Sequence, residues 1–407
     1  MLGILVTVIE FVFFSYVGGC IIYNLCLSLA GRIIRRKPVR PVPGETAYAR
    51  VAILVPAYKE DEVILSVADS YARLDYPADR YEVIVIADSL QPATLHKLSQ
   101  TSVRVLEVSF QQSTKAKALN AAFERLDDVY DLGLICDADN MLENDFLLKV
   151  NKAFQDGEYA IQAQRVAKNL DTPFAILDAA NEIIANHMYR KGANALGLSA
   201  SVIGSGMAFH WPLIKSMMQE IQAIGGFDKV LQQLVIAKGH SIFYLEEARI
   251  YDEKVENQEA FQHQRRRWLS AQFVYLGKYW SKGWAALFRG QVDYFNMTIC
   301  QNLMIPRMIL VAATTLLCVL SLLLQPYLSI QPIWWITLFV LNCISLLVPI
   351  PALFYRRYLW TALINLPKAM LIMIGLLFRL KGANKKFIHT KHTKTGINNP
   401  LLDAVNK

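Results

Sequence analysis

The apolar and polar positions of the sequence divide the chain into three parts. An apolar stretch without charged residues covers residues 11–30 and is about long enough to cross a bilayer. From residue 49 to residue 136, short β-rich runs alternate with helical ones, a pattern typical of a mostly parallel sheet with right-handed crossovers. Apolar and aromatic helical stretches return after residue 270. The pattern predicts one α/β domain flanked by transmembrane and interfacial α-helices.

The predicted sheet brings three polar groups to one edge. Strands are predicted at residues 51–55, 82–87, 103–108 and 132–136, with helices at residues 61–74, near Thr94 and at residues 115–126. Ligands bind such sheets at the carboxyl ends of the strands. The polar groups that follow the strands there are residues 56–60, Asp88 with Ser89, and residues 137–139. One nucleotide can bridge all three groups.

The charges beside the first apolar stretch predict its orientation. Gly-Arg-Ile-Ile-Arg-Arg-Lys follows the stretch at residues 31–37, whereas no basic residue precedes it and no small-residue cleavage site stands out. Because cytoplasmic flanks carry the excess of Lys and Arg, the N-terminus is predicted to lie outside and residue 31 onward in the cytoplasm. Residues 1–31 are therefore predicted to form a retained membrane anchor rather than a signal peptide.

Further membrane and interfacial helices are predicted after the α/β domain. Residues 271–300 mix aromatic with basic side chains, as helices in the membrane interface do. Residues 301–383 are predicted to hold transmembrane or interfacial helices, with spans at residues 308–324 and 333–354.

The last apolar stretch, residues 359–378, is ambiguous. Pro367 and Lys368 lie at its centre, and a basic tail, residues 384–407, follows it. A full crossing would place that tail outside, against the usual charge distribution. We therefore expect a broken or in-plane helix here, three spans in all and a cytosolic tail, with four spans as the alternative.

Composition supports a membrane protein with one soluble domain. The chain has 407 residues, of which 54% are hydrophobic, and a net charge of +8, with a mean hydropathy of +0.27. These values are too apolar for an ordinary soluble protein and too polar for one that is membrane throughout. The basic residues cluster beside the apolar stretches, which indicates membrane topology and no nucleic-acid partner. The six cysteines form no Cys-x-x-Cys pair, so no zinc site is expected.

The strongest chemical signal is Asp137-Ala-Asp139 at the end of a predicted strand. Side chains two residues apart on an extended chain point the same way, so both carboxylates can face one divalent cation and the phosphate oxygens that it carries. The alternative is a surface loop in which Asp-x-Asp caps a turn.

Seven motifs in order make the sequence resemble membrane-bound glycosyltransferase family 2, which includes the cellulose, hyaluronan and poly-N-acetylglucosamine synthases. They are Val-Ala-Ile-Leu-Val-Pro-Ala-Tyr-Lys-Glu at residues 51–60, Ile-Ala-Asp-Ser at 86–89, Lys-Ala-Lys-Ala-Leu-Asn at 115–120, Asp-Ala-Asp at 137–139, Gly-Ser-Gly-Met-Ala-Phe at 204–209, Gly-Phe-Asp at 226–228 and Gln-Arg-Arg-Arg-Trp at 264–268. The resemblance covers roughly residues 48–270 and implies a cytosolic GT-A domain, a Rossmann-like fold that binds a nucleotide sugar.

The resemblance also implies roles for residues at the strand ends. The uridine would be held by Ala57, Tyr58, Glu60 and Asp88. Lys115 or Lys117 would lie near the diphosphate, and the motif does not choose between them. Asp137 would contact the nucleotide, and Asp137 and Asp139 would bind Mg²⁺ or Mn²⁺. Helix capping is the alternative role for Glu60 and Asp88, and a solvated helix face is the alternative for either lysine.

Asp228 is the predicted general base. An inverting transfer needs a carboxylate that takes the proton of the acceptor hydroxyl as its oxygen attacks the anomeric carbon. Many relatives carry Glu-Asp at this point, and this chain carries Phe227 in place of the Glu. The alternative for Asp228 is an N-cap of a helix over residues 229–238.

The acceptor end of the site is predicted from two further motifs. Gln264, Arg267 and Trp268 share one helical face and resemble the acceptor and diphosphate motif of the family, in which Arg pairs with phosphate and Trp stacks on sugar. Arg265 and Arg266 would be interfacial anchors. Close approach of the backbone to a sugar is expected at Gly204, Ser205 and Gly206.

These expectations give a function with two rivals. The first expectation is an integral enzyme of the cell membrane that transfers a hexose or N-acetylhexosamine from a UDP-sugar to a growing β-linked polysaccharide, processively. The second is nonprocessive transfer to a lipid such as ceramide or a polyprenyl carrier, and the third is an inactive scaffold. Because three spans make a small channel, a second copy or an accessory membrane subunit is a possible partner.

Overall fold

The computed structural model describes residues 2–35, 39, 47–222, 225–380, 382 and 392–402. The strands are β1 (Val51–Tyr58), β2 (Tyr81–Asp88), β3 (Arg104–Val108), β4 (Leu132–Ile135), β5 (Met141–Leu142), β6 (Ala160–Ala167), β7 (Met207–His210) and β8 (Phe243–Asp252). The helices of the α/β part are α2 (Ile64–Tyr71), α3 (Pro92–Leu98), α4 (Lys115–Arg125), α5 (Phe146–Gln155), α6 (Pro173–Ala185), α7 (Ala193–Ala195), α8 (Trp211–Gln219) and α9 (Phe227–Ala237). A π-helix, Asn186–Gly192, joins α6 to α7.

The remaining helices flank this part of the chain. They are α1 (Leu2–Ile33), α10 (Gln258–Phe288), α11 (Val292–Phe295), α12 (Gln301–Leu303), α13 (Arg307–Leu323), α14 (Pro332–Leu347) and α15 (Ala352–Leu377). A second π-helix, Asn296–Cys300, lies between α11 and α12, and a short 3₁₀-helix, Gln325–Tyr327, follows α13.

The strands form one eight-stranded sheet in the order β3-β2-β1-β4-β7-β6-β8-β5. The first four strands of the chain run parallel, as the sequence predicts. The second half of the sheet is mixed, because β7 is antiparallel to both β4 and β6 while β6 is parallel to β8. In the register, Tyr58 of β1 pairs with Asp88 of β2. The carboxyl ends of β1, β2 and β4 therefore meet at one edge.

Both faces of the sheet are covered by helices, which is typical of parallel strands. Alternate residues of β1 point to opposite sides, so Leu54 packs with Phe123 of α4 and Ile53 packs with Val67 of α2. All four side chains are at most 1% exposed. This packing fixes the strand ends at the edge where the polar residues lie.

Two helices of the described chain, α1 and α15, are long and apolar enough to cross a membrane. A third candidate is the pair formed by residues Val292–Leu303 and α13, which meet at an angle of 56°. The stretch 333–354 predicted as one span is two helices, since α14 ends at Leu347 and α15 begins at Ala352. Pro349 and Pro351 lie in that break, and a residue before proline disfavours helical geometry.

The break predicted at Pro367 is wrong, since α15 continues through it. Helix α10 is also continuous across residue 270, so the end of the α/β domain and the predicted interfacial stretch share one helix.

The C-terminal segment, residues 392–402, lies against the α/β part of the chain. The backbone N–H of Asn398 donates to the carbonyl oxygen of Lys168 at 2.8 Å, and the side-chain amide of Asn399 donates to the carbonyl oxygen of Ala167 at 2.7 Å. The rest of the predicted tail, residues 384–391 and 403–407, lies outside the described residues.

Candidate active site

A cavity of about 550 Å³ lies at the carboxyl ends of β1, β2 and β4, and we call it the sheet-edge cavity. The predicted residues that line it are Ala57, Tyr58, Glu60, Asp88, Lys115, Asp137, Asp139, Gln264, Arg267 and Trp268. The residues after β1 and β2, Lys59 and Ser89, have positive φ of 56° and 60°. Such strained backbone in residues other than glycine clusters at functional sites, and here it turns the chain sharply at both strand ends.

Three carboxylates converge in this cavity. Asp137, Asp139 and Asp252 place ligand oxygens within 4.8 Å of one another. Burial, together with the negative charges of Asp252 and Asp137, raises the pKa of Asp139 to about 6. Asp252 was missed in the sequence, because it ends β8, far along the chain from the Asp-x-Asp motif. Three hard oxygen ligands whose charges repel one another fit a divalent cation.

Neighbouring groups hold these carboxylates in place. The side-chain amide of Asn140 donates to Asp139 and Asp252, both at 3.2 Å. The backbone N–H of Glu253 donates to Asp139 at 3.1 Å, and Lys254 lies 2.8 Å from Asp252.

The structure distinguishes the two candidate lysines. Thr114 caps α4 by accepting the N–H of Lys117 at 3.2 Å, which sets Lys115 in the first turn. The Lys115 ammonium pairs with Asp137 and donates to the carbonyl oxygen of Gly204 at 2.7 Å. Lys117 instead donates to the carbonyl oxygen of Gln112 on the exposed side of the helix. Lys115 is therefore the lysine that faces the cavity.

The Gly204–Ser205–Gly206 turn supports Asp137. The Ser205 hydroxyl accepts the backbone N–H of Asp137 at 2.9 Å and hydrogen-bonds to Asn140. Gly204 and Gly206 have positive φ of 84° and 62°, and a Cβ at Gly206 would lie 2.9 Å from Ile250. Of the three, Gly204 lines a cavity, whereas Ser205 and Gly206 are buried behind the carboxylates.

A second cavity, of about 470 Å³, lies between the α/β part and the flanking helices, and we call it the helix-side cavity. The two cavities share six lining residues, which are Lys115, Asp137, Arg165, Ile203, Arg267 and Trp268. The outer wall of the helix-side cavity contains Met308 of α13 and Met373 of α15.

Asp228 lines the helix-side cavity. Burial raises the pKa of its carboxyl, while Lys229 and Lys115 oppose the shift. Gly226, with φ of 67°, is the N-cap of α9, and Asp228 lies inside the first turn. The alternative N-cap role is therefore wrong. Phe227, which replaces the family Glu, places its ring 5.4 Å from the Lys115 ammonium.

Helix α10 carries the Gln-x-x-Arg-Trp face into the site. Asn257 caps the helix by accepting the N–H of Ala260 at 2.9 Å. Arg267 and Trp268 line both cavities, and Gln264 lines the sheet-edge cavity. Arg265 is not an interfacial anchor, because it is 5% exposed, pairs with Asp178 and lies 4.4 Å over the Trp268 ring. The stacked Arg265 guanidinium holds the Trp268 ring in its orientation.

Two further residues of the site are not apparent from the sequence. Arg165 of β6 lines both cavities and connects Glu182, at 2.5 Å, with Asp252, at 3.8 Å. His392 of the C-terminal segment lines the sheet-edge cavity and lies 2.9 Å from Glu60. Neither residue belongs to a motif that the sequence reveals, since the sheet register and the folded-back segment bring them in.

The sequence of the chain matches a known protein family. The family model described as glycosyltransferase like family 2 matches residues 49–271, more than half of the 407 residues. The beta-monoglucosyldiacylglycerol synthase of Trichormus variabilis is 26% identical over an alignment of 247 positions, which covers 56% of this chain and 50% of that protein. The Synechocystis protein of the same name is 24% identical over an alignment of 277 positions, which covers 63% of this chain and 55% of that protein. The chain spans about half the length of these curated relatives.

A solved structure shares the fold. The mannosyltransferase PcManGT from Pyrobaculum calidifontis, in complex with GDP-Man and Mn²⁺, superimposes with a TM-score of 0.50 at 17% identity, over 82% of this chain and 94% of that one. This likeness confirms the GT-A-like fold predicted from the motifs. The protein belongs to glycosyltransferase family 2.

Proposed function

We propose that the protein is a membrane-associated, inverting, metal-dependent transferase that moves a hexose from a UDP-sugar to a hydroxyl group of a membrane lipid. The observation that carries this proposal is the junction of the two cavities at Lys115, Asp137, Arg267 and Trp268. One cavity contains the residues expected to hold a nucleotide sugar, and the other joins Asp228 to the apolar flanking helices.

The donor is assigned to the sheet-edge cavity. Carboxylates such as Glu60 and Asp88 can accept hydrogen bonds from the uracil N–H and the ribose hydroxyls. Asp137, Asp139 and Asp252 would hold Mg²⁺ or Mn²⁺, and this cation would offset the charge of the departing UDP. The Mn²⁺ and nucleotide sugar named for the P. calidifontis mannosyltransferase support the same assignment.

The transfer is a direct displacement. Asp228 takes the proton of the acceptor hydroxyl, whose oxygen forms a bond to the anomeric carbon. The bond between that carbon and the β-phosphate oxygen breaks, and UDP leaves with the electron pair on the face opposite the acceptor. Lys115 and Arg267 border the path between the cavities, so their charges would stabilise the leaving diphosphate.

A lipid acceptor is favoured over a polysaccharide for two reasons. The curated relatives are named as synthases of a glucosylated diacylglycerol. The helix-side cavity is walled by Met308 and Met373 on two apolar helices, where a lipid could reach Asp228 from the bilayer. These helices would anchor the domain to the cell membrane, on the cytoplasmic side that the basic residues near Arg32 predict.

The second candidate function is processive polysaccharide synthesis. The face formed by Gln264, Arg267 and Trp268 favours it, because the resemblance found in the sequence links this motif to polysaccharide synthases. A homo-oligomer or an accessory subunit would then complete the channel.

The test is UDP release by the full chain in lipid nanodiscs with Mn²⁺ or Mg²⁺, across a panel of UDP-sugars, followed by analysis of the labelled product. We expect release with one donor and a small product that partitions into organic solvent. A long, glycosidase-sensitive product would establish the second candidate. Absence of release with every donor and lipid tried would contradict the enzymatic proposal and favour a scaffold.

A further inference from the structure

We propose that the helix-side cavity contains an anion site, and that Arg307 and Gln301 bind the phosphate group of a phosphate-bearing lipid there. The inference rests on the proposed function and narrows its acceptor to a lipid that carries a phosphate group. The hydroxyl to be glycosylated is then either a neighbour of that phosphate or a hydroxyl of the phosphate itself. Three independent observations carry it: charge, unpartnered donors and location.

Basic side chains outnumber acidic ones around this cavity. The basic lining residues are Lys115, Arg165, Arg190, Lys229, Arg265, Arg267 and Arg307, and the acidic ones are Asp137, Glu182 and Asp228. Glu182 serves both Arg165 and Arg190, and two carboxylates outside the lining of this cavity, Asp252 and Asp178, pair with Arg165 and Arg265, so seven cations face five carboxylates. A low-dielectric cavity with an excess of positive charge favours an anionic ligand.

Three buried donors of residues that line this cavity have no protein partner among the described residues. They are Nη1 of Arg307 and Nε2 of Gln301, at the bend between α12 and α13, and Nε of Arg265 on α10. The other guanidinium nitrogen of Arg307 donates to the carbonyl and side-chain oxygens of Asn181, at 3.2 and 2.6 Å, and the group lies 5.3 Å from the centre of the Tyr189 ring. Its described hydrogen-bond partners are therefore neutral, and the carboxylate of Glu182, whose charge acts on it, already pairs with Arg165 and Arg190. Buried donors are nearly always paired, so oxygens of a ligand are the expected partners.

The location separates this anion from the donor diphosphate. Within the described chain, the lining of the sheet-edge cavity includes neither Arg307 nor Gln301. The two residues flank the 56° bend between α12 and α13, on the side of the apolar helices. Met308 follows Arg307 directly and lines the same cavity. A lipid could place its phosphate at the bend, its acyl chains along α13 and its reactive oxygen at Asp228.

The experiment compares acceptors and variants with the full chain in nanodiscs of neutral lipid. Candidate acceptors are diacylglycerol, phosphatidylglycerol and a polyprenyl phosphate, offered with the UDP-sugar that supports release. We expect one of the phosphate-bearing lipids to exceed diacylglycerol at least tenfold in kcat/KM, and which of the two it is identifies the source of the phosphate. Arg307→Gln should raise the KM of that acceptor about tenfold or more and leave the KM of the donor unchanged. Gln301→Ala should act in the same direction, and Arg307→Lys should restore part of the loss.

Arg289→Gln is the matched control, because Arg289 is the exposed C-cap residue that follows α10 and lies outside both cavities. Equal use of diacylglycerol and the phosphate-bearing lipids would overturn the anion site while leaving lipid glycosylation intact. An unchanged acceptor KM in folded Arg307→Gln would also overturn it. If this variant fails to fold, the acceptor preference of the unmodified chain decides alone. Absence of any lipid product, by contrast, would refute the proposed function itself.

Discussion

The Nδ1 atom of His392 lies 2.9 Å from Oε1 of Glu60, which joins the C-terminal segment to the end of the first strand. The segment is held further back by Lys394, whose ammonium lies 2.8 Å from Asp171 and 2.6 Å from Glu256. Burial opposes a charge on His392, yet the carboxylates of Asp139, Glu60 and Glu253 outweigh it and raise the pKa of His392 to about 10. A cation therefore faces the sheet-edge cavity at neutral pH.

Replacing His392 should weaken nucleotide binding. We expect His392→Ala to lower the affinity for UDP about tenfold, because the variant removes a charge from the cavity and frees Glu60 to move. Isothermal titration calorimetry with UDP measures the effect. His96→Ala is the control, since His96 is exposed and contacts Gln100. Equal UDP affinity in His392→Ala and the unmodified protein would mean that the C-terminal segment takes no part in binding.

Asp252 should be as important for metal binding as the two acids of the motif. We expect Asp252→Asn to weaken Mn²⁺ binding at least tenfold, because the amide removes one charge from a three-carboxylate site. Titration of Mn²⁺ in the presence of UDP, followed by electron paramagnetic resonance, measures the affinity. Asp156→Asn, in an exposed pair with Lys152, should leave it unchanged. Tight Mn²⁺ binding by folded Asp252→Asn would restrict the site to Asp137 and Asp139.

The same cluster predicts a pH dependence. The pKa of Asp139 is raised to about 6 without a cation, so this carboxyl is protonated below that value and the cation must displace the proton. The apparent Mn²⁺ affinity should therefore fall as the pH is lowered from 7.5 through 6 to 5.5. Mn²⁺ titrations at these pH values measure how the affinity changes with pH, and folded Asp139→Asn should lose most of this pH dependence. An affinity that does not change over this interval would contradict the assignment.

Lys115 and Lys117 should differ strongly in their contribution to turnover. Lys115 pairs with Asp137 between the two cavities, whereas Lys117 bonds to Gln112 at the surface. We expect Lys115→Ala to lower kcat by about a hundredfold, since it removes a cation from the path of the diphosphate, and Lys117→Ala to stay within about twofold of normal. UDP release kinetics on both variants provide the comparison, and each lysine serves as the control for the other. Similar losses in the two variants would refute the distinction.

Local patterns in the sequence predict what lies close together along the chain. The parallel strands, the Asp137-Ala-Asp139 motif and the face of Arg267 and Trp268 all follow from spacing and periodicity, and the structure brings them to one place. Asp252, Arg165 and His392 could not be found in this way, because they come from elements far apart in the chain. Their position depends on the register of β6 and β8 and on the path of the C-terminal segment.

The errors in the flanking helices have a local cause. Hydrophobicity predicts one span over residues 333–354, and Pro367 with the charge of the basic tail predicts a break in the next stretch, but the chain breaks where Pro349 and Pro351 act together. A single proline inside a long apolar helix is tolerated when neighbouring helices hold it, and α15 packs on α6 and α10. Two prolines close together therefore predict the end of a helix better here than the single proline in the middle of an apolar stretch.

Asp228 provides the most direct test of the chemistry. Its carboxyl lines the helix-side cavity next to Phe227, and burial raises its pKa, which makes it a stronger base once it is ionised. We expect Asp228→Asn to fold and to bind UDP normally, yet to lose about a hundredfold to ten-thousandfold in sugar transfer, because the amide cannot accept the hydroxyl proton.

Calorimetry with UDP and product formation from a labelled donor separate binding from chemistry in this variant. Asp79→Asn, at an exposed residue beside Arg80, is the matched control and should transfer sugar normally. The activity of the unmodified enzyme should also fall as the pH drops below the pKa of Asp228, because the protonated carboxyl is too weak a base to take the hydroxyl proton. Near-normal transfer by Asp228→Asn would mean that another carboxylate is the general base. Asp137, which lines both cavities, would be the first to examine.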